Sequence, residues 1–305
     1  MGIDTGALRL KPNTPYIHIA FHLGSLYSPF TIHHPPFTIH QKMQIATWNV
    51  NSIRTRLEIV TNWLQQHPVD VLCLQEIKVT DEQFPLAAIE ACGYHAYISG
   101  QKSYNGVAMF SKQPLTNVGY GFQGMLAPEL VGDLDEQKRV ITGNLDGVGI
   151  VNLYVPNGNL FGSDKYAYKL RWLELLGKYL KTTIESGQQS ICVCGDFNIA
   201  LEDIDIHSKS TAADRVMATL PERELLRKSV LDLGFRDSFR KFTPEGGHFS
   251  WWDYRQQGFE RNRGWRIDHL YLTPDLFDRA TSCAIDIEPR KLVQPSDHAP
   301  VIVEF

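Results

Sequence analysis

The sequence predicts an α/β protein of two packed β-sheets with helices on the outside, not a single doubly wound sheet. Two observations carry this. From Met43 onward strand-like apolar runs alternate with amphipathic helices, and the strands outnumber the helices. No Gly-, Ser- or Pro-rich linker divides residues 43–305, so that stretch reads as one domain, although 305 residues would also allow two.

The elements follow in order. Ile45–Val50 reads as a strand. Thr55–His67 is a helix with Leu57, Val60 and Leu64 on one face, stopped by Pro68. Val69–Glu76 is apolar enough for a buried strand. Thr80 can cap a short helix running to Cys92, which Gly93 ends. Gly106–Lys112 is another strand. Val140–Leu145 and Gly149–Val155 flank Asp146-Gly147, a tight hairpin signal. Lys165–Glu185 is the longest helix, with Tyr166, Leu170, Leu173, Leu176, Leu180 and Ile184 as its inner stripe. Ser190–Cys194 is a buried strand and Glu222–Leu233 a helix. Strands return at His248–Tyr254, Trp265–Leu272, Thr281–Ile287 and Ala299–Phe305.

Composition narrows the class. Hydrophobic residues are 43 % and charged residues 21 %, which excludes a disordered, collagen-like or disulfide-scaffold chain. No run reaches the roughly 18 uncharged apolar residues of a membrane span. The net charge of −4 argues against a general polyanion coat. It still permits a local basic surface beside a carboxylate-rich metal site. Five cysteines, an odd number scattered through apolar runs, argue against a disulfide framework. Cys192 and Cys194 point to one face of a strand and read as small core residues; a zinc site lacks two further ligands. A reducing compartment, the cytoplasm, is expected.

Residues 1–42 differ from the rest. They hold five of the eleven histidines, five prolines and a single acidic residue, Asp4. No helical or strand period persists, and a secretory signal is not present. The segment reads as a poorly ordered extension.

Polar residues then recur at the ends of apolar strands, where rigid scaffolds present chemistry. They are Asn49 and Asn51, Glu76, Tyr154 with Asn157, Asp196 with Asn198, Asp268, and Asp297 with His298. Most also suit ordinary turns. Asp268 does not, because Asp is depleted inside strands and wants a partner there, for which a histidine is suited. Together they fit one chemistry. A hard cation such as Mg²⁺ takes oxygen ligands, commonly one or two carboxylates with water and a substrate phosphate. Glu76 is the leading ligand, with Asp297 and Asn49 or Asn51 beside it. His298 beside a buried Asp268 forms a pair that fixes the ring's tautomer and favours its charged form. A neutral ring could act as a base; a charged one could stabilise a phosphoryl oxygen. Asp196 can polarise the attacking water or serve the leaving group, while Asn198 and Tyr154 can donate to the phosphate.

A pocket is legible too. Trp251, Trp252 and Trp265 fall within fifteen residues, with Arg255, Arg261, Arg263 and Arg266 interleaved. Aromatic faces with arginines suit an extruded nucleotide and its phosphates. Large aromatics also fill cores, most of all Trp252. Loop cations such as Lys78, Lys102 and Arg215 could hold a phosphate backbone or simply be solvated.

Seven blocks in order carry a resemblance. They are Ala46-Thr47-Trp48-Asn49-Val50-Asn51-Ser52-Ile53-Arg54, Leu74-Gln75-Glu76-Ile77-Lys78, Tyr154-Val155-Pro156-Asn157-Gly158, Gly195-Asp196-Phe197-Asn198-Ile199, Phe249-Ser250-Trp251-Trp252-Asp253-Tyr254-Arg255, Asn262-Arg263-Gly264-Trp265-Arg266-Ile267-Asp268 and Pro295-Ser296-Asp297-His298-Ala299-Pro300. Residues 43–305 resemble the exonuclease III and abasic-site endonuclease family of the endonuclease/exonuclease/phosphatase superfamily.

The resemblance implies a four-layer sandwich of two mixed sheets flanked by helices. It implies a magnesium-dependent DNA-repair phosphodiesterase, with Mn²⁺ as an alternative ion, double-stranded DNA as substrate and a monomeric state. It makes Glu76 the main metal ligand, supported by Asn49 or Asn51, with Asp297 close to the metal. It makes Asp268 the residue that orients His298. Asp196 acts on water or the leaving oxygen, assisted by Tyr154 and Asn198, and Asn157 touches the scissile phosphate. Trp251, Trp265 and Ile267 align with the pocket for a flipped-out abasic sugar. Loop Gly158–Gly162 lacks the arginine that some eukaryotic relatives insert into DNA. Two rivals remain: a lipid or inositol phosphatase of the same superfamily, and a non-catalytic nucleic-acid-binding relative. The first predicts basic head-group motifs in place of the tryptophan-rich stretch; the second predicts loss of Glu76, Asp196, Asp268 or His298.

Overall fold

Among the described residues the apolar runs pair into two six-stranded sheets and one two-stranded ribbon. The computed structural model describes residues 1–2, 42–208 and 215–305. The reading of 1–42 as an extension therefore falls almost wholly outside the described residues. Gln41–Phe305 forms one compact unit.

In chain order the strands are β1 (Gln44–Asn49), β2 (Val71–Gln75), β3 (His95–Ser99), β4 (Val107–Ser111), β5 (Thr116–Tyr120), β6 (Val140–Leu145), β7 (Val148–Tyr154), β8 (Ser190–Asp196), β9 (Arg236–Asp237), β10 (Trp251–Trp252), β11 (Gly264–Trp265), β12 (Asp268–Leu272), β13 (Ser282–Ile285) and β14 (Val301–Glu304). The helices are α1 (Ile53–Gln66), α2 (Leu86–Glu90), α3 (Pro128–Val131), α4 (Asp164–Glu185), α5 (Leu220–Ser229), α6 (Ser238–Phe242) and α7 (Pro274–Arg279).

The first sheet runs β13-β14-β1-β2-β4-β3 and the second β5-β6-β7-β8-β12-β9. Each has one parallel pair at its centre, β1 with β2 and β7 with β8; the other pairings are antiparallel. Central strands are buried on both faces, which explains their unbroken apolar runs. One apolar cluster fills the space between the sheets, with Ile45, Val71 and Met109 facing Ile150, Cys192 and Leu270. Trp172, Leu176 and Leu226 from α4 and α5 cover the outer face of the second sheet. Val60, Trp63 and Leu64 from α1 cover the first. The result is the expected four layers. All five cysteines are free, and Cys192 and Cys194 lie in the layer between the sheets.

The differences have local causes. The helix expected from Thr80 to Cys92 is a short 3-10 turn followed by α2, with Pro85 between them and no cap bond from Thr80. Strands β3 and β5 went unread because each lies at a sheet edge and is only partly buried. The run Trp265–Leu272 is two strands, since Trp265 pairs with Trp251 in the ribbon whereas Asp268 pairs with Asp196 in the main sheet. His248–Tyr254 shortens to Trp251–Trp252 for the same reason. On α4 the fully buried stripe includes Lys169 and Trp172, while Leu170 and Ile184 are only partly covered. The hairpin appears as read, with both Asp146 (φ 49°) and Gly147 (φ 84°) in the left-handed region that such a turn requires.

Candidate active site

Strand direction assembles the site. The parallel pairs place Asn49 beside Gln75 at the ends of β1 and β2, and Tyr154 beside Asp196 at the ends of β7 and β8. Strand β12 runs antiparallel to β8, so its first residue, Asp268, pairs with Asp196. Strand β14 runs antiparallel to β1, which brings the preceding Asp297-His298 loop to the same edge. Both sheets thus deliver their polar ends to one side of the sandwich.

Asn49 joins the two sheets. Its amide donates to Glu76 Oε1 at 2.8 Å and to Asp196 Oδ2 at 2.9 Å, while its Oδ1 accepts from the Asn51 N–H at 3.0 Å. In this arrangement Asn49 bridges carboxylates, and its oxygen is already engaged. Glu76 follows β2 with a left-handed backbone (φ 52°). Besides Asn49 it accepts from the Tyr154 hydroxyl at 2.8 Å and pairs with Lys78 at 2.6 Å. Burial opposes ionisation of Glu76, but Lys78 and the Asn49 bond outweigh it and hold the pKa below the usual glutamate value. Lys78, offered above as a loop cation, lies inside the site and donates to Asn51 Oδ1 at 2.6 Å. Asn51 donates in turn to Asp297 Oδ1 at 2.9 Å, and Trp251 Nε1 donates to Asp297 Oδ2 at 3.0 Å. An unbroken bonded chain therefore runs from Asp297 through Asn51, Lys78, Glu76 and Asn49 to Asp196.

On the second sheet His298 Nδ1 lies 2.8 Å from Asp268 Oδ2, and its Nε2 is 3.8 Å from Asp196 Oδ2. Burial alone would lower the imidazole pKa, but the carboxylates of Asp268 and Asp196 overcome it and raise it to about 10. The two carboxylates favour the charged form of the ring, which is the form suited to stabilising a phosphoryl oxygen. Burial, with the Asp268 charge beside it, pushes Asp196 upward, which suits a group that takes up a proton near neutrality. Asn198 (φ 50°) donates its N–H to Asp196 Oδ1 at 2.8 Å and its amide to Val155 O at 3.0 Å; its Oδ1 accepts from Asn157 at 2.9 Å. Tyr154 stays protonated, since burial and the neighbouring Glu76 both raise its pKa.

The donor set suits a hard cation. Glu76, Asp297 and the Asn51 side-chain oxygen are hard oxygen donors joined in one hydrogen-bonded network, the ligand type a magnesium-type ion takes, and Lys78 sits between Glu76 and the Asn51 oxygen at 2.6 Å from each. Asp196, Asp268 and His298 also hold ligand atoms within 4.8 Å of one another. There the histidine nitrogen that faces Asp268 is committed to that carboxylate, so this group fits an orienting cluster better.

A cavity of about 570 Å³ opens beside these residues, lined by Asn157, Arg215, Met217, Trp251, Arg263 and Trp265. Trp251 and Trp265 are cross-strand partners. Ile267 is buried and packs in the apolar cluster with Trp265; it does not line the cavity. Trp252 is a core residue against Phe249 and Ala299. Arg266, grouped above with phosphate-facing arginines, is buried between Asp205 and Asp237 at 2.7 Å from each. The sequence reading also missed Arg139, whose guanidinium lies 4.5 Å over the Tyr154 ring, and Lys169, which reaches beneath the Asn157 and Asn198 loops. Arg139 lies in the loop just before β6, and Lys169 is one of several charged residues along α4, so neither stands out in the sequence.

The chain is similar to known proteins over nearly the whole described unit. The profile of the Endonuclease/Exonuclease/phosphatase family matches residues 46–298. Exodeoxyribonuclease III of Haemophilus influenzae is 34% identical over 274 residues, covering 86% of this chain and 100% of that protein. An AP endonuclease structure from Archaeoglobus fulgidus has a TM-score of 0.80 at 40% identity, covering 86% of this chain and 98% of that one. A 3′ phosphatase from Neisseria, bound to a product DNA hairpin, has a TM-score of 0.81 at 38% identity, covering 86% and 99%. The chain belongs to the endonuclease/exonuclease/phosphatase family.

Proposed function

We propose that the protein is a metal-dependent DNA-repair phosphodiesterase of the exodeoxyribonuclease III type. It cleaves the backbone at abasic sites and removes 3′ blocking groups or 3′-terminal nucleotides from duplex DNA. The observation that carries this is the pair of hydrogen bonds donated by the Asn49 amide, which ties Glu76 of one sheet to Asp196 of the other. That tie sets a metal-ligating carboxylate beside a proton-accepting one.

Glu76, with Asp297 and Asn51 beside it, would hold the cation, taken here as Mg²⁺ with Mn²⁺ as the alternative. When bound, such an ion neutralises charge on the phosphate. The chain's own residues do the rest. Asp196 takes the proton of the water as it adds to phosphorus, or serves the leaving oxygen, which carries a proton away as its bond to phosphorus breaks. The His298 imidazolium, oriented by Asp268, and the Asn157 and Asn198 amides stabilise the phosphoryl oxygens. Trp251 and Trp265 hold the extruded sugar, with Ile267 backing Trp265. The AP endonuclease and 3′ phosphatase names of the structural relatives support this reading over a lipid phosphatase. All four residues whose loss would mark a non-catalytic relative are present. Five free cysteines suit a reducing compartment, and a cytoplasmic monomer is the working assignment. Among the described residues no helix is long and apolar enough to cross a membrane.

Duplex DNA carrying one abasic site, incubated with the protein with and without Mg²⁺, tests the proposal. Metal-dependent incision at the site is expected. No incision at any divalent ion would overturn it.

A further inference from the structure

Lys169 lies on the inner face of α4 with its side chain fully buried. A buried ammonium is costly unless its charge and its donors are all met. Here they are. The ammonium donates to Glu222 Oε1 at 2.5 Å, to Asn198 O at 2.8 Å and to Asn157 O at 3.1 Å. Glu222, also buried, is used as fully. Its Oε1 accepts from the Met217 N–H at 3.0 Å, and its Oε2 accepts from the N–H and hydroxyl of Thr219 at 3.0 and 2.7 Å.

One ion pair therefore ties three loops together: Asn157 after β7, Asn198 after β8, and Met217 before α5. The Asn157 and Asn198 side chains then bond each other at 2.9 Å. Asn157 and Met217 both line the cavity beside Trp265. Asn198 (φ 50°) and Met217 (φ 81°) have left-handed backbones, which non-glycine residues keep only where the surroundings impose them. Apolar contacts could hold α4 against α5 at no desolvation cost. They could not grip two backbone carbonyls beneath the candidate phosphate contacts.

We propose that Lys169 and Glu222 form a positioning pair for phosphodiester cleavage, acting through Asn157 and Asn198 and not by touching substrate. The inference rests on the function proposed above.

The test compares Lys169→Met, Glu222→Gln and the double variant on abasic duplex DNA. Each single variant leaves one buried charge unpaired and should lower Tm. The double variant removes both charges and should regain most of the Tm. Its kcat should stay down on the order of 10- to 100-fold, with a smaller change in KM, because the asparagines are no longer held. In an Asn157→Ala/Asn198→Ala background, adding Lys169→Met should cost little more, since its effect runs through those two residues. Val60→Ala, on the buried face of α1, controls for stability alone and should lower Tm while leaving kcat unchanged. Recovery of kcat to within about twofold of wild type in the Lys169→Met/Glu222→Gln variant, or losses that multiply in the Asn157→Ala/Asn198→Ala background, would overturn the positioning role. Wild-type protein that cuts no DNA would instead overturn the functional reading, and the two failures are distinct because only the second removes wild-type activity.

Discussion

Gln75 donates its side-chain amide to Asn152 Oδ1 at 2.7 Å, across the interface between the two sheets. Asn152 answers with two bonds into the first sheet, to Leu74 O at 3.0 Å and Ala108 O at 2.9 Å. Gln75 immediately precedes Glu76, and Asn152 is two residues before Tyr154. Apolar packing resists sliding weakly, whereas directional bonds fix one register. This link sets the offset at which the Tyr154 hydroxyl reaches Glu76 at 2.8 Å.

Asn152→Leu tests the link. The substitution removes the Asn152 bonds to the Leu74 and Ala108 carbonyls and one acceptor of the Gln75 amide. It should destabilise the fold by about 1–3 kcal/mol in urea denaturation. Unchanged stability would show that the sheets are registered by packing alone.

Glu76→Gln should leave the fold intact and weaken Mg²⁺ or Mn²⁺ binding by more than about 10-fold. The charge is the reason: glutamine keeps the shape and loses the anion, and Lys78 is left without its carboxylate. Calorimetric titration with metal measures it. Near-normal affinity, or near-normal activity at low Mg²⁺, would remove Glu76 from the ligand set.

Asp205→Asn should show a pH-dependent loss of stability. The Asp205 carboxylate is buried, bonded to Arg266 at 2.7 Å and paired with Arg240. Burial raises its pKa, but the guanidiniums outweigh this and hold it below the usual aspartate value. A depressed carboxylate contributes stability above its unfolded pKa, near 4, and loses it as pH falls through the folded value. The variant should therefore be less stable by about 3–5 kcal/mol at pH 7. The gap to wild type should narrow only in acid, below about pH 4. A gap that is constant from pH 7 to about pH 2 would assign the loss to shape, not charge.

Trp265→Ala should reduce incision at abasic sites more than removal of a 3′-terminal phosphate. An internal nucleotide must be rotated out and held against the pocket wall, while a strand end frays more easily. The expected cost is on the order of 1–3 kcal/mol, about ten- to hundred-fold in kcat/KM. His298→Ala is the comparison and should harm both reactions alike. Equal losses on both substrates for Trp265→Ala would leave Trp265 as a core residue only.

Removing residues 1–40 should leave Tm and incision nearly unchanged. The family match begins at residue 46, and the compact unit begins at Gln41. A fall of several degrees in the melting scan would show that the segment stabilises the domain.

The sequence by itself determined which residues stand at strand ends, because that depends only on local pattern. Asn49, Glu76, Asp196 and Asp268 each interrupt an apolar run, and each lies at the edge where β1, β2, β8 and β12 present their ends. Asp268 was legible as needing a partner, and His298 stands 2.8 Å from it. Tertiary structure decided the rest. It turned Lys78 inward onto Glu76, buried Arg266 between two aspartates and placed Lys169 beneath two loops. None of these is visible in a pattern, because a charge on a periodic element looks the same whether it meets water or a carboxylate. Its partner is chosen by the register between sheets and the depth of a helix, and those arise from contacts between residues far apart in the chain.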